Sequence, residues 1–514
     1  MKRRTFCSFP LASGLSSLTQ PSSNGFPIIE PSWESMAQNY RCPAWFQDGK
    51  IGIWMHWGIN SAVDPNRPPD GGHYGRRMYG TQDYLGRSEA DFKATEVLAE
   101  WHAKRYGPPD KFGYEKLIPL FTAAKWNPDA LVQFFKQCGA RFIMPVAVHH
   151  DNFDMYDSSF PWNSVSVGPR RDVLGEWKQA ARKHGLKFGV STHLYWSPAF
   201  FNTARRFQKP GTKEWLLFNM DYDPHGYASQ DSWNEFWYRR CWELIEKYDP
   251  DMFNNDAPFP DERTGKGLGV KLFSAFLNRN RAEHSGRQEA VLSHKSTNID
   301  RRAFTYNLER GMLEQLQPYP WIWATDLSGN WFYRAGSFTR MSLPVLIGNA
   351  LDVISKNGVV MMNVALRGDG TLPENQAAML REFGNWVRVN AEGIYGTRPW
   401  KVFGEGPAEI SGKRIGENLK PFSPADVRFT TNGRRLYAFV LAEPRGDIMI
   451  KTLASSGELK DDIESIAVLG TNETVHWTRS AEGLLIRCPK APPPKYAIGL
   501  RILCKSTVGR RYAH

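Results

Sequence analysis

No uninterrupted apolar run in this chain approaches the roughly 18 residues that a membrane-crossing helix needs, so no membrane span is expected. No G-x-G-x-x-G follows any of the early strand candidates, which removes the usual mark of a dinucleotide fold. Neither H-x-H nor H-E-x-x-H occurs, so the common short zinc motifs are absent. The six cysteines (Cys7, Cys42, Cys138, Cys241, Cys488, Cys504) show no C-x-x-C and no metal-ligand spacing. Cys488 and Cys504 are candidates to pair, which spacing alone does not decide. No basic helix, zinc finger or RNA-binding signature accompanies the net charge of +12, so no nucleic acid partner is expected. Internal repeats and low-complexity segments are not evident.

What is present is a chain of 514 residues with an evenly spread hydrophobic fraction of 41%, enough for one large and one smaller domain. The 19 Trp residues suit either a core or a set of carbohydrate platforms. The excess of basic residues favours acidic partners, and a sulfated or uronic-acid-bearing glycan fits better than nucleic acid, while a merely basic surface accounts for it most simply. Residues 1–25 combine a basic start (MKRRTF), a short apolar stretch and small residues, with Arg3-Arg4 and Phe6 echoing a twin-arginine signal. Export to a periplasmic or extracellular location is therefore expected, with a cytoplasmic one as the alternative.

Between Lys50 and Asn363 short β-like runs alternate with amphipathic segments. The strand candidates are 51–56, 141–148, 186–192, 252–255, 290–294, 304–309, a weaker 321–325, and 358–364. Helical patterns cover Asn127–Gln137, Val173–Lys183 and Ser232–Lys247, and a further helix from Glu374 ends at Asn390–Gly393. About eight strand–helix units predict an α/β fold, a (β/α)8 TIM-like barrel over 35–392. From 393 to 508 the texture changes to short β-like pieces split by turn residues, which predicts a C-terminal antiparallel β-sandwich.

Several of these strands end in reactive side chains: His56, then His149 and His150, then His193, Asp256, His294 with Lys295, and Glu309. In a barrel all would converge on the face where active sites lie. The His149-His150-Asp151 cluster admits three readings: metal ligands, a structural pair, or hydrogen-bonding partners of a polyhydroxylated substrate. Adjacent residues on a strand point to opposite faces, so the two imidazoles share a site only at a strand end. Asp256 reads as a turn Asp or as a fixed carboxylate at a barrel mouth. Glu309 is the best second carboxyl for glycosidase chemistry, although Arg310 beside it would favour its ionised form.

The residues then show a resemblance. WFQDGKIGIWMHWG (45–58), HHDNFDMYDS (149–158) with WNSV (162–165), GPRRD (168–172) and YDPDMFNND (248–256) occur in order, followed by SKNGVVMMN (355–363), GDG (368–370) and NAEGIYGTRPW (390–400). Together these resemble the retaining α-L-fucosidases of glycoside hydrolase family twenty-nine. The resemblance implies a barrel followed by a β-sandwich, release of α-L-fucosyl groups from a fucosylated glycan with net retention, and no metal or organic cofactor. It implies Asp256 as nucleophile, His56, His149 and His150 as sugar-hydroxyl binders, and Trp331 as an aromatic wall. His193 stands where many members carry tyrosines, and Lys295 is a further candidate contact in the same pocket.

The chain also departs from the family. Asn254-Asn255-Asp256-Ala257 replaces Trp-Phe-Asp-Gly or a close variant, and Gly72-His73-Tyr74 replaces Glu-Trp-Tyr. Trp323-Ala324-Thr325-Asp326 offers no Glu where some members carry the acid/base, which leaves Glu309 first and Asp326 or Glu314 behind it. Alternatives are a fucose-binding protein with altered catalysis, a related glycosidase with another glycone, and a metal-dependent hydrolase.

Overall fold

The computed structural model describes residues 26–86, 88–209, 212–218, 231–261, 267–337, 339–410, 416–444, 446–471, 475–487 and 496–509. The expected export signal at 1–25 lies outside these residues, as does Cys488 of the considered disulfide; Cys504 is a free, buried thiol.

Eight parallel strands close a barrel in sequence order. They are β1 (Ile51–Met55), β2 (Phe142–Val148), β3 (Lys187–Thr192), β4 (Met252–Asn255), β5 (Val291–His294), β6 (Thr305–Glu309), β7 (Trp321–Asp326) and β8 (Gly358–Val364). All eight coincide with the strand candidates, because strands covered on both faces are nearly continuous apolar runs. Inside the barrel, Trp54, Met144, Met252, Val291, Ile322 and Met361 form an apolar plug with Phe46 and Phe142. Gly52 makes room for it: a Cβ there would sit 2.2 Å from the Phe142 ring. Helices such as Val173–Lys183, capped by Asp172, wrap the outside. Neither β5 to β6 nor β6 to β7 is bridged by a helix. Instead the early helix Trp33–Asn39 and Tyr40, whose hydroxyl meets Leu292 O and Thr305 Oγ1, cover that wall.

The helix from Glu374 does not stop at Asn390–Gly393 but runs to Ile394. Ala391 and Glu392 are good helix formers, and Gly393 serves close approach, since a Cβ there would lie 2.7 Å from Phe439. Two antiparallel sheets follow, in orders β13-β16-β11-β10-β9 and β12-β15-β14. Here β9 is Arg398–Glu405, β10 Val427–Asn432, β11 Arg435–Val440, β12 Ile448–Ile450, β13 Ile463–Val468, β14 Trp477–Arg479, β15 Leu484–Ile486 and β16 Ile498–Cys504. The sheets join the barrel through buried polar contacts. Arg428 Nε donates to Asp352 Oδ1 at 2.6 Å, and Thr430 Oγ1 to Gly393 O at 2.7 Å. Among the described residues no helix is long and apolar enough to cross a membrane.

Candidate active site

The site lies at the carboxyl end of the barrel strands and rests on a polar layer. Below it, Asn254 of β4 donates to Ser191 Oγ of β3 at 3.0 Å. It accepts from Ser293 Oγ of β5 at 2.7 Å and Asn307 Nδ2 of β6 at 3.1 Å. All four are buried. Because side chains alternate along a strand, the residues two positions on face the same interior: His193, Asp256, Lys295 and Glu309. The ladder continues up to them, with His193 N donating to Val148 O and Asp256 N to Thr192 O, both at 2.9 Å. Four adjacent strands thus present one imidazole, two carboxylates and an ammonium to one space.

Lys295 is the hub of these charges. Its Nζ contacts Asp256 Oδ1 and lies 2.8 Å from Glu309 Oε2. Two oxygens touching one ammonium are separated by at most two hydrogen-bond lengths, roughly 5–6 Å. Burial alone would raise the Asp256 carboxyl, but Lys295, and then His193 at 3.3 Å, hold it well below the usual carboxylate range. Burial works against the Lys295 charge, and Asp256 and Glu309 together outweigh it, so its affinity for a proton is raised. Arg310 does not crowd Glu309. With a φ of +45° its guanidinium turns to Asp326, Nε to Oδ1 at 2.6 Å, and lies 4.8 Å over the Trp331 ring.

The alternative carboxyls are placed elsewhere. Asp326 is buried against Arg310 and Arg340, and burial raises its proton affinity despite them. Glu314 is exposed and lines a surface cleft with Lys356 and Arg428, by the end of the barrel where β8 begins. Trp323 faces outward, donating to Glu417 Oε1 at 2.9 Å.

The histidines form the opposite wall. A register shift between Val146 and Val148 interrupts β2, and such a bulge re-aims the side chains that follow. His149 and His150 therefore turn to the same space, 4.6 and 5.1 Å from the His193 ring centroid. His150 Nδ1 meets His193 O at 3.0 Å. His56 Nδ1 is held by Asn363 Oδ1 at 2.8 Å, and Asn363 Nδ2 donates to Trp331 O at 2.9 Å. The Trp331 ring is 5.0 Å from His56 and 5.4 Å from Trp54.

Two sequence expectations change. Asp151 is not beside its histidines; Oδ2 accepts from Tyr114 OH at 2.7 Å, and burial pushes its carboxyl up to about 6. His294 points out of the barrel, stacked edge-on against Phe259 at 4.7 Å with Nε2 near Ala257 O. Sequence reasoning missed Asn363 and Asn254, whose one signal was a polar residue in an apolar strand. The cation-capable group among the described residues is His56, His149 and His193, whose ring nitrogens lie within 4.8 Å of one another. Imidazoles so placed can equally donate to and accept from the hydroxyls of a sugar.

Burial, followed by the neighbouring His193, lowers His56 to about 3. Burial also lowers His294 to about 4 and holds His149 and His150 well below the ordinary histidine range. Unfolded, each would titrate near about 6.5. As pH falls below that value the unfolded chain takes up protons that the folded chain refuses, so stability is lost, at about 1.4 kcal/mol per pH unit per histidine. His102, also lowered by burial, adds to the loss, while Asp151, Asp154 and Asp326, whose carboxyls burial raises, work the other way and offset part of it. We therefore expect the Tm to fall steadily from pH 6.5 to pH 5; a flat Tm over that range would contradict neutral buried histidines.

The family model for Alpha-L-fucosidase matches residues 18–392. Tissue alpha-L-fucosidase of Bos taurus is 25% identical over 484 residues, 91% of this chain and 88% of that protein. Plasma alpha-L-fucosidase of Homo sapiens is 26% identical over 480 residues, 90% and 89% of the two chains. The Thermotoga maritima alpha-fucosidase in complex with fucose superposes with a TM-score of 0.70 at 26% identity, covering 92% of this chain and 99% of that one. Isoenzyme 1 from Paenibacillus thiaminolyticus, at 18% identity and a TM-score of 0.64 (92% and 100% covered), shares the fold.

Proposed function

The chain belongs to the α-L-fucosidase family, and on that premise we propose that it removes terminal α-L-fucosyl residues from glycans as an exo-acting, retaining glycosidase. The single observation that carries this reading is the pair of carboxylates sharing the Lys295 ammonium. Their shared partner keeps the facing oxygens within roughly 5–6 Å, which agrees with the roughly 5–5.5 Å spacing of retaining enzymes.

The Asp256 carboxylate, kept ionised by Lys295, attacks the anomeric carbon. The glycosidic C–O bond breaks, its electron pair passes to the leaving oxygen, and that oxygen takes the proton of Glu309. The glycosyl ester on Asp256 is then opened by water, whose proton returns to Glu309 while the ester pair returns to Asp256. Glu309 is the more exposed of the two, with 19% of its side chain accessible against 3% for Asp256, which suits a group that meets the leaving glycan. His56, His149, His150 and His193 hold the sugar hydroxyls. The half-buried Trp331 offers an apolar face to the sugar's methyl group. The net charge of +12 supports an anionic, sulfated fucan as substrate. The order of basic, apolar and small residues over 1–24 supports export.

A panel of aryl glycosides tests the reading. Turnover of the α-L-fucoside should exceed that of the β-D-galactoside and the α-L-galactoside by about tenfold or more, since each lost or added group in such a pocket is worth that much. Binding of fucose without turnover of any aryl glycoside would instead identify a sugar-binding protein on this scaffold. Preferred turnover of another glycone would reassign the pocket.

A further inference from the structure

The barrel's outer wall has a gap. Because the connections β5–β6 and β6–β7 carry no helix, a cleft of about 680 Å³ remains between the Trp33–Asn39 helix and the starts of β6, β7 and β8. Thr305 opens β6, Pro320 precedes β7 and Asn357 precedes β8, and all three line the cleft. It therefore lies at the end of the barrel opposite Asp256 and Glu309, which close their strands.

Three arginines from two distant parts of the sequence line it: Arg41, Arg301 and Arg302. Arg302 is paired with the exposed Asp300 at 2.6 Å. Arg301 lies 3.5 Å over the Tyr306 ring, and Arg41 donates to Tyr40 O. Among the described residues neither of these two has a carboxylate partner. The amino-terminal residues 1–25 contain no Asp or Glu, so that segment offers no side-chain anion to them either. Tyr319, 45% exposed, adds an aromatic surface at the same place. Guanidinium forks, which match the paired oxygens of an anionic group, beside an aromatic face suit a sugar ring carrying sulfate or carboxylate. The volume is within the range of small-ligand sites, roughly 300–1,000 Å³.

We propose that this cleft is a second, non-catalytic site that binds an acidic oligosaccharide, holding a charged glycan chain while the barrel mouth acts on its fucosyl ends. The proposal rests on the glycan-hydrolase reading for its physiological meaning, but binding at the cleft is measured separately from turnover. The experiment is calorimetric titration of the full chain with a sulfated fucan tetrasaccharide while an iminocyclitol fills the sugar pocket. Binding should persist with the pocket filled. It should weaken about tenfold or more in Arg41→Ala/Arg301→Ala/Arg302→Ala, each lost charged hydrogen bond being worth about that factor. kcat/KM on the aryl α-L-fucoside should be unchanged in that variant. Should the triple variant fail to fold, Arg41→Ala and Tyr319→Ala are each expected to weaken binding at least threefold. Equal binding by the desulfated tetrasaccharide, unchanged affinity in the arginine variants, or loss of binding when the pocket is filled would each overturn the proposal. Absence of aryl-fucoside turnover with cleft binding intact would count against the hydrolase reading alone.

Discussion

Asp256→Gly is expected to lose roughly four to six orders of magnitude in kcat on an aryl α-L-fucoside, the range seen when single members of a covalent catalytic unit are deleted. No other carboxylate takes its place. Glu309 reaches the same ammonium from the neighbouring strand, but it sits on the side of the leaving group in the proposed reaction. Asp326 is occupied by Arg310 and Arg340. The fold should persist, because β4 is anchored below the site by Asn254 and its three partners, which the substitution leaves in place. The glycine also leaves a space beside the anomeric carbon, so added azide should restore activity and yield the β-L-fucosyl azide, inverted at that carbon. A kcat within tenfold of the parent, in a folded variant, would remove Asp256 from the chemistry.

Lys295→Met should act through charge more than shape. In the parent, burial pushes the Asp256 carboxyl up and Lys295 pulls it down further, so Asp256 stays ionised throughout the working range. Without the ammonium only His193 still opposes the burial effect, and the acidic limb of kcat/KM should move upward by about one to three pH units. The sign follows from the step itself: only ionised Asp256 can attack, so raising its proton affinity removes activity first at low pH. Lys295→Arg keeps a charge at the hub and should restore most of the profile. A buried carboxylate left without its partner also costs stability, about 3–5 kcal/mol when it stays ionised and less once it takes up a proton. The Tm should therefore fall less at pH 5 than at pH 8. Superimposable pH profiles for parent and Lys295→Met would contradict this role.

The barrel was legible because parallel strands buried on both faces are apolar runs, and the runs at 51–55, 142–148 and 358–362 are unbroken. The site was legible where such a run stops on a reactive side chain, as at His56 and Asp256. Orientation was harder to read. His294 follows the same pattern yet faces outward, because alternation along β5 assigns the interior to Ser293 and Lys295. His149 and His150 share the pocket because of a bulge that leaves no mark in residue identity. The swing of Arg310 toward Asp326 depends on a left-handed backbone turn that a non-glycine residue does not announce. In the C-terminal region β9 and β10 carry little strand signal, since Pro399 and Gly404 interrupt one, and Arg428, Thr430 and Thr431 make the other look polar. Those polar groups are buried because partners in or next to the barrel satisfy two of them. The arginine cleft joins positions 41, 301 and 302, and only the missing helices between β5 and β7 bring them together.

Retention of configuration is the central claim, because it follows from two carboxylates held by one lysine. Proton NMR of the first sugar released from an aryl α-L-fucoside, recorded before mutarotation, tests it directly. The account predicts that α-L-fucose appears first and the β-anomer grows in later. β-L-fucose as the initial product would contradict it, requiring a water to attack the anomeric carbon in place of Asp256.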